Sequence, residues 1–203
     1  MKKNKTLETV ELAMLVALVV VLQLVSAIIP PIGGVSITLT LVPVVVGAIL
    51  FGIKGGAILG FFFGLIVLIN CITGLDMGGN ILWSSNPFFT GVICFVKGIS
   101  AGIVPAWLYR VFKGKEADAS TSSAKKYVSA LVAALSAPIV NTGIFICGML
   151  LFFMDTLYAW AGGSNLATYI IWGLAGLNFL VEFLINIILT PAISRIVDNV
   201  KNR

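Results

Sequence analysis

Residues 9–29, TVELAMLVALVVVLQLVSAII, decide the fold class of this chain. A continuous apolar run of about 20 residues is long enough for one α-helix to cross the hydrocarbon core of a bilayer. The run stops at Pro30 and Pro31, because a proline ring removes a backbone N–H and collides with the preceding helical turn. It is longer than the apolar core of a cleavable signal peptide, so it is predicted to be a retained first transmembrane helix.

The composition of the whole chain is also that of a membrane protein. Of its 203 residues, 59% are hydrophobic and 10% are charged, whereas soluble domains carry about 25% charged residues. So few charges cannot cover a water-facing exterior, and most of the surface must therefore face lipid. The length leaves no room for a separate soluble domain, and residues 1–203 are predicted to form a single membrane domain.

Six apolar segments give the predicted spans, at residues 9–29, 38–51, 56–72, 87–112, 127–153 and 166–196. Lysine and arginine fall before the first segment, in the second and fourth connections and after the last segment, while the other connections contain neither. Because cytoplasmic loops are enriched in basic residues, this pattern places both termini in the cytoplasm. The sequence predicts an all-α bundle of six transmembrane helices. This orientation explains the net charge of +5, and no nucleic-acid partner is expected.

Two charged residues, Lys97 and Glu182, fall well inside the predicted helices. A charge at mid-membrane costs roughly 2.5–3.5 kcal/mol on insertion scales, so such residues normally face the interior of a bundle. Two interpretations remain open. Either Lys97 and Glu182 pair with each other, or Lys97 meets the carboxylate of a ligand.

Amide side chains and a tryptophan extend this polar interior. An amide in hydrocarbon needs a partner, so these groups are expected to converge inward, either in hydrogen bonds between helices or around a cavity open to the outside. Trp83, in a polar loop, is a candidate lid, whereas Tyr158 and Trp160 fit an interfacial aromatic belt. The predicted substrate-binding residues are Gln23, Asn80, Trp83, Lys97, Asn141, Asn178 and Glu182.

The sequence lacks the residues of several kinds of catalytic site. It contains no histidine, which excludes histidine-based proteolysis and the H-E-x-x-H zinc helix. It also contains no phosphate-binding G-x-x-x-x-G-K-[ST] loop, so the chain has no ATPase site of that type. No enzyme activity, metal or cofactor is predicted.

Small residues at four-residue spacing predict close helix contacts. For helices three and four this spacing is interpreted as packing within the chain, at Gly56, Gly60, Gly64, Gly98 and Gly102. The pair Ala13 and Ala17 in the first helix is a candidate surface for a partner subunit.

Two stretches of the sequence carry a family resemblance. They are Ala13-Met14-Leu15-Val16-Ala17 and residues 37–43, ITLTLVP, followed by Gly47, Phe51-Gly52 and Gly55-Gly56. Together with the length and the six-span pattern, they make nearly the whole chain resemble the substrate-binding S components of energy-coupling factor (ECF) vitamin transporters.

The resemblance implies a function that the residues alone do not show. An S component captures a water-soluble vitamin in an outward-facing pocket of a prokaryotic plasma membrane. It docks through its Ala-x-x-x-Ala face, here Ala13 and Ala17, onto a membrane coupling subunit that works with two cytoplasmic ATPases. Lys97 suits a ligand with a carboxylate. Pantothenate is therefore the first candidate, with folate, niacin and pyridoxine-type vitamins as alternatives.

Three other functional classes lead to different expectations: a stand-alone transporter or channel, a membrane enzyme and a structural protein. A stand-alone secondary transporter or channel would work without further subunits, but such carriers usually show repeats with broken helices and an ion site. A membrane enzyme is disfavoured by the missing catalytic residues, and a purely structural role by the polar residues of the predicted cavity. Beyond the vitamin and the ECF subunits, the expected partner is membrane lipid.

Overall fold

The computed structural model describes residues 5–28, 38–114 and 123–201, without the side chains of residues 27–28, 123, 177–178 and 199–201. Over these ranges the chain is helical and contains no β-strand. The elements are α1 (Lys5–Ile28), α2 (Leu41–Thr73), α3 (Met77–Ser85), α4 (Pro87–Lys113), α5 (Ser123–Phe152), α6 (Met154–Ala161), α7 (Leu166–Tyr169), a π-helical segment (Ile170–Gly176) and α8 (Leu177–Lys201).

Helix α2 folds back on itself at Gly52. This glycine has φ +68° and ψ −158°, a conformation that is not helical and that favours a residue without Cβ. Gly47 lies against the side chain of Leu59, 12 residues further along, whereas a straight helix would separate them by about 18 Å. Ala48 likewise contacts Gly56. The element is therefore a helical hairpin with arms at residues 41–51 and 53–73.

Five stretches of the described chain are long and apolar enough to cross a membrane. They are Lys5–Ser26, Leu41–Thr73, Pro87–Lys113, Ala124–Phe152 and Leu166–Asp198. The hairpin counts once here, and its first arm, about 16 Å long, is shorter than the hydrocarbon core of about 30 Å. The reversal at Gly52 agrees with the predicted division between the second and third segments. The six-span count, the cytoplasmic termini and the single-domain boundaries stay predictions.

Both polar connections at one end of the bundle contain short helices. Within residues 73–86, which lie between two predicted spans, Met77–Ser85 form α3, and Asp76 caps its first turn by accepting a hydrogen bond from Gly79 N–H at 3.2 Å. Residues 155–164 were expected to be a loop, but they contain most of α6, which ends at Gly162 in the left-handed conformation.

The second arm of α2 packs against α4 with the two backbones in direct contact. A methyl group added at Gly98 would lie 2.5 Å from the carbonyl oxygen of Gly60, and one added at Gly64 would lie 2.6 Å from that of Cys94. The facing pairs recur every four residues in antiparallel register: Gly56 with Gly102, Gly60 with Gly98, and Gly64 with Cys94. The prediction that these glycines serve packing within the chain is confirmed.

Helix α5 packs between α4 and α8. On the α4 side, Phe89 stacks on Phe152 with ring centres 4.2 Å apart, and Gly148 lies against Ile93. On the α8 side, Lys126 Nζ lies 4.0 Å from Asp198 Oδ1. The start of α5 thus lies beside the end of α8, and the end of α5 beside the start of α4, so both helix pairs are antiparallel.

Residues 38–40 tie α1 and α8 together through three buried or partly buried hydrogen bonds. The Thr40 hydroxyl donates to Gln23 Oε1 at 2.7 Å, and the Leu39 N–H donates to Ser26 Oγ at 3.1 Å. The Thr38 N–H donates to Glu182 Oε1 at 2.8 Å. Polar side chains of α1 and α8 thus satisfy backbone and hydroxyl groups just before α2 begins.

The α2–α4 contact predicts that Gly60→Val destabilises the bundle. The new side chain would meet the Gly98 carbonyl oxygen, and a backbone atom cannot rotate away as a side chain can. We expect a loss of about 1–3 kcal/mol, the range for overpacked interiors, measured as a lower unfolding temperature of the detergent-solubilised protein. Gly91→Val on α4 is the matched control, because nothing lies within 4 Å of a Cβ at Gly91. Equal unfolding temperatures for the two variants would contradict this packing.

The hydrogen bond between Thr40 and Gln23 predicts a loss of stability in Thr40→Val. The substitution keeps the shape of the side chain but leaves Gln23 Oε1 buried without a donor, at a cost of about 1–3 kcal/mol. Combining it with Gln23→Leu removes the stranded acceptor, so the double variant should unfold at a higher temperature than Thr40→Val. If the double variant is no more stable than the single one, Gln23 has another partner.

Candidate functional site

A pocket lies beneath α3, at the end of the bundle where α3 and α6 lie. Its walls are mainly apolar and come from α2, α3, α4, α5 and α6. The space between them is about 400 Å³ with the open mouth included, but the inner part is narrow, with room for roughly two or three water molecules. The lining residues are Val67, Cys71, Asp76, Gly78, Gly79, Leu82, Thr90, Ile93, Cys94, Lys97, Phe145 and Trp160.

Helix α3 is fastened over this pocket by hydrogen bonds to the end of α2. The Asn80 Nδ2 donates to the Cys71 carbonyl oxygen at 2.8 Å, and the Asp76 N–H donates to the Asn70 carbonyl oxygen at 3.1 Å. Gly74, with φ +81°, makes the turn between the two helices. Asn80, a predicted binding residue, is therefore engaged with the backbone of α2, while Asp76 is part of the pocket wall.

Lys97 brings a positive charge to the pocket from the middle of α4. Its side chain is half-buried, and its ammonium lies 5.3 Å from the centre of the Phe145 ring, within range of a cation–π contact. Among the described residues no carboxylate lies within 4.0 Å of this ammonium. Glu182 is near enough for an electrostatic interaction but forms no salt bridge with Lys97. Of the two interpretations of Lys97, direct pairing with Glu182 is not what the structure shows.

The aromatic wall of the pocket differs from the predicted one. Trp160, on α6, lines the pocket beside Phe145, although the sequence favoured an interfacial role for it. Trp83 is partly buried and packs against the main hydrophobic core. Trp160 was missed because the predicted spans end at residue 153 and resume at residue 166, so no helix was expected where α6 forms. Thr90 and Asp76 had no sequence signal that set them apart.

A second polar group lies deeper in the bundle. Glu182, Asn186 and Asn141 are 3%, 1% and 6% exposed. The Asn186 Nδ2 donates to the Glu182 carbonyl oxygen at 2.8 Å. Among the described residues, one oxygen of each side chain has no hydrogen-bond partner: Asn141 Oδ1, Glu182 Oε2 and Asn186 Oδ1. These three residues are not part of the pocket wall described above.

The remaining predicted residues lie in different parts of the structure, away from the pocket wall. Gln23 is bonded to Thr40, and the side chain of Asn178 lies outside the described residues. Ala13 and Ala17 are exposed on α1, on a face that also presents Val10, Met14 and Val21. This exposure is compatible with lipid and with a partner subunit, so their docking role stays a prediction.

Comparisons with known proteins agree with this architecture. The sequence profile of the family described as "ECF transporter, substrate-specific component" matches residues 7–194. The chain is also similar to the pantothenic acid transporter PanT of Lactococcus lactis subsp. cremoris (strain MG1363), with 28% identity over 213 aligned positions that cover 100% of this chain and 99% of the relative. The chain therefore belongs to the substrate-specific components of ECF transporters, and it is a multi-pass vitamin-uptake subunit of a prokaryotic cell membrane.

Proposed function

We propose that the chain captures a small water-soluble vitamin that carries a carboxylate, with pantothenate as the first candidate. The observation that carries this proposal is the Lys97 ammonium, which reaches the pocket from mid-helix without a carboxylate within 4.0 Å among the described residues. The similarity to a pantothenic acid transporter supports the same ligand. Folate, niacin and pyridoxine-type vitamins are the other candidates.

The chemistry of the pocket explains how such a ligand would be held. A cation in a poorly hydrated site is costly on its own, and a ligand carboxylate would neutralise it through charge-assisted hydrogen bonds. Ile93, Leu82 and Phe145 would cover the apolar part of the ligand. The inner pocket is narrower than a vitamin, so we expect Trp160 and α6 to move outward as the ligand enters.

The pocket is proposed to open to the cell exterior in a bundle of six spans. Lys54, Arg110 and Lys113 line a cleft where the α2 hairpin turn meets the last turn of α4. Lys97 lies toward the other end of α4. If the basic end faces the cytoplasm, as positive charge in short loops normally does, the pocket faces outward and both termini lie inside.

Energy for uptake is proposed to come from other subunits. These are a membrane coupling protein and two cytoplasmic ATPases, because the sequence has no phosphate-binding ATPase loop of its own. Ala13 and Ala17 are exposed at neighbouring turns of α1. Small side chains there would let a partner helix approach closely, which is how helices associate in lipid.

Lys97→Met should weaken pantothenate binding to the purified protein. Losing a charge-assisted hydrogen bond removes about 1.5–3 kcal/mol, which is roughly a 10- to 150-fold rise in Kd. Isothermal titration calorimetry with pantothenate would measure this rise in Kd. The alcohol analogue panthenol, which lacks the carboxylate, should bind both proteins equally weakly.

The control for this variant is Lys54→Met, which removes a lysine at the opposite end of the bundle. It should leave the Kd for pantothenate unchanged. An unchanged Kd in Lys97→Met, with the protein still monodisperse, would show that Lys97 does not bind the ligand.

Replacing Ala13 and Ala17 together by Leu should spare ligand binding and abolish uptake. The two side chains are exposed, so the bundle should tolerate them, but they would hold a partner helix away. Uptake of labelled pantothenate by cells that express the coupling subunit and ATPases would measure the loss. Ala192→Leu, at an exposed alanine of α8, is the matched control and should transport normally.

Two results would contradict this docking role. One is normal uptake by the Ala13→Leu, Ala17→Leu protein. The other is gradient-driven uptake by the purified chain alone in liposomes, which would favour a stand-alone carrier.

A further inference from the structure

A basic cleft lies at the end of the bundle opposite the pocket. It runs between the α2 hairpin turn and the last turns of α4, and it encloses about 900 Å³. Spaces of this size are typical of sites that hold a small organic molecule. Among the described residues that line it, three are basic, Lys54, Arg110 and Lys113, and none is acidic. The cleft is therefore large enough for a ligand and suited to a negatively charged one.

Positive charge reaches this cleft from three helices. Arg110 and Lys113 lie in the last turn of α4, where basic side chains also suit the negative end of the helix dipole. Lys54 comes from the second arm of α2. The Lys125 ammonium, from the first turns of α5, lies 3.4 Å from the position that a Cβ on Gly114 would take. The dipole of α4 does not explain why Lys54 and Lys125 gather at the same concave surface.

Two of these cations lack a counter-ion in the described part of the chain. Neither Lys54 nor Arg110 has a carboxylate within 4.0 Å there, and both side chains are exposed. An arginine guanidinium binds two phosphate oxygens at once, and a lysine ammonium adds a point charge beside it. A phosphate-bearing anion therefore fits the chemistry of the cleft.

The position of the cleft favours a lipid phosphate over a soluble one. Helix α4 has 27 residues and is about 40 Å long, which matches a bilayer with its headgroup regions, so its last turn lies at headgroup level. Ile53, Trp107 and Val111 line the cleft and are exposed. These apolar side chains would contact acyl chains, and tryptophan is typical of this level of the membrane. A soluble phosphate would gain nothing from them.

We propose that this cleft binds the headgroup of an anionic membrane phospholipid, with Lys54 and Arg110 at its phosphate and Trp107 against the start of its acyl chains. Basic pockets between transmembrane helices hold such headgroups in other membrane proteins. The proposal goes beyond vitamin capture and does not depend on which vitamin is bound. A lipid bound here would bridge the α2 hairpin and α4 at the end away from the pocket.

The test titrates the detergent-purified protein with two lipids that have the same acyl chains, and it counts bound lipid by native mass spectrometry. Dioleoyl phosphatidylglycerol carries a net negative charge, whereas dioleoyl phosphatidylcholine carries none. We expect the wild type to bind phosphatidylglycerol at least about 30-fold more tightly. The Lys54→Gln, Arg110→Gln protein should lose most of this preference, because each basic residue near an anionic headgroup contributes a factor of about five.

Three further measurements locate the effect. Lys5→Gln with Arg195→Gln is the matched control and should keep the wild-type preference, because it removes the same charges from exposed positions outside the cleft. Trp107→Ala should weaken both lipids and keep their ratio. Glycerol 3-phosphate, which has the phosphate without acyl chains, should not displace phosphatidylglycerol.

Equal affinity of the wild type for the two lipids would overturn the lipid site and leave the cleft to an acidic partner protein. A preference that survives in the Lys54→Gln, Arg110→Gln protein, or that falls as far in the matched control, would overturn it as well. Displacement by glycerol 3-phosphate would assign the cleft to a soluble phosphate compound instead. Both substituted side chains are exposed, so the unfolding temperature in lipid-free detergent should stay at the wild-type value. If it falls, the two single variants decide, each with an expected loss of about fivefold.

Discussion

Hydrocarbon offers no hydrogen bonds, so every polar side chain inside the membrane must find its partner in the protein or in what the protein binds. In this bundle some of the polar interior is satisfied internally. Gln23 accepts from Thr40, and one oxygen of Glu182 accepts from the Thr38 N–H. Within the described part of the chain, the groups left over include the Lys97 ammonium, which lies over the Phe145 ring and has no carboxylate within 4.0 Å, and the Asn141 and Asn186 side-chain oxygens, which have no hydrogen-bond donor. The same constraint that organises the fold therefore separates structural polar residues from those available to a ligand.

The frame that holds these groups is rigid on one side and composed of short elements on the other. Helices α2 and α4 touch backbone to backbone through three pairs at four-residue intervals, which leaves little freedom for one to slide past the other. Lys97 lies on α4, so its position is set by this contact. The mouth of the pocket is formed by α3 and α6, which span Met77–Ser85 and Met154–Ala161. α3 is tied to α2 mainly through the bonds of Asp76 and Asn80. A pocket with one fixed wall and short helices on its other side can admit a solute without displacing Lys97, the charged group proposed to bind it.

The sequence predicted the class of fold and the more strongly constrained residues. Apolar length gave the helices, and the cost of a buried charge singled out Lys97, which the structure places in the pocket. Four-residue glycine spacing predicted close packing within the chain, and the structure shows that this packing joins α2 and α4. The sequence favoured Trp83 as the pocket tryptophan and an interfacial place for Trp160, whereas the structure places Trp160, on α6, in the pocket wall. No pattern in the sequence indicated the short helix α6 that carries Trp160. It also could not show that Gln23 accepts a hydrogen bond from Thr40. That bond joins residues 17 positions apart, across a connection whose sequence has no regular pattern.

The positions of the two candidate surfaces explain why capture and energy coupling can be assigned to separate proteins. Lys97, the proposed ligand-binding group, lies on α4, whereas the small-residue face that would meet a partner lies on α1. Helix α1 packs directly on α2 and is also joined to α8 through residues 38–40, where Leu39 and Thr40 bond to Ser26 and Gln23 and Thr38 bonds to Glu182. A displacement of the Glu182 side chain would act directly on this segment, because Thr38 donates to its carboxylate. Residues 38–40 are therefore one physical route, beside the direct packing of α1 on α2, by which a change among the buried polar groups could reach the face that carries Ala13 and Ala17.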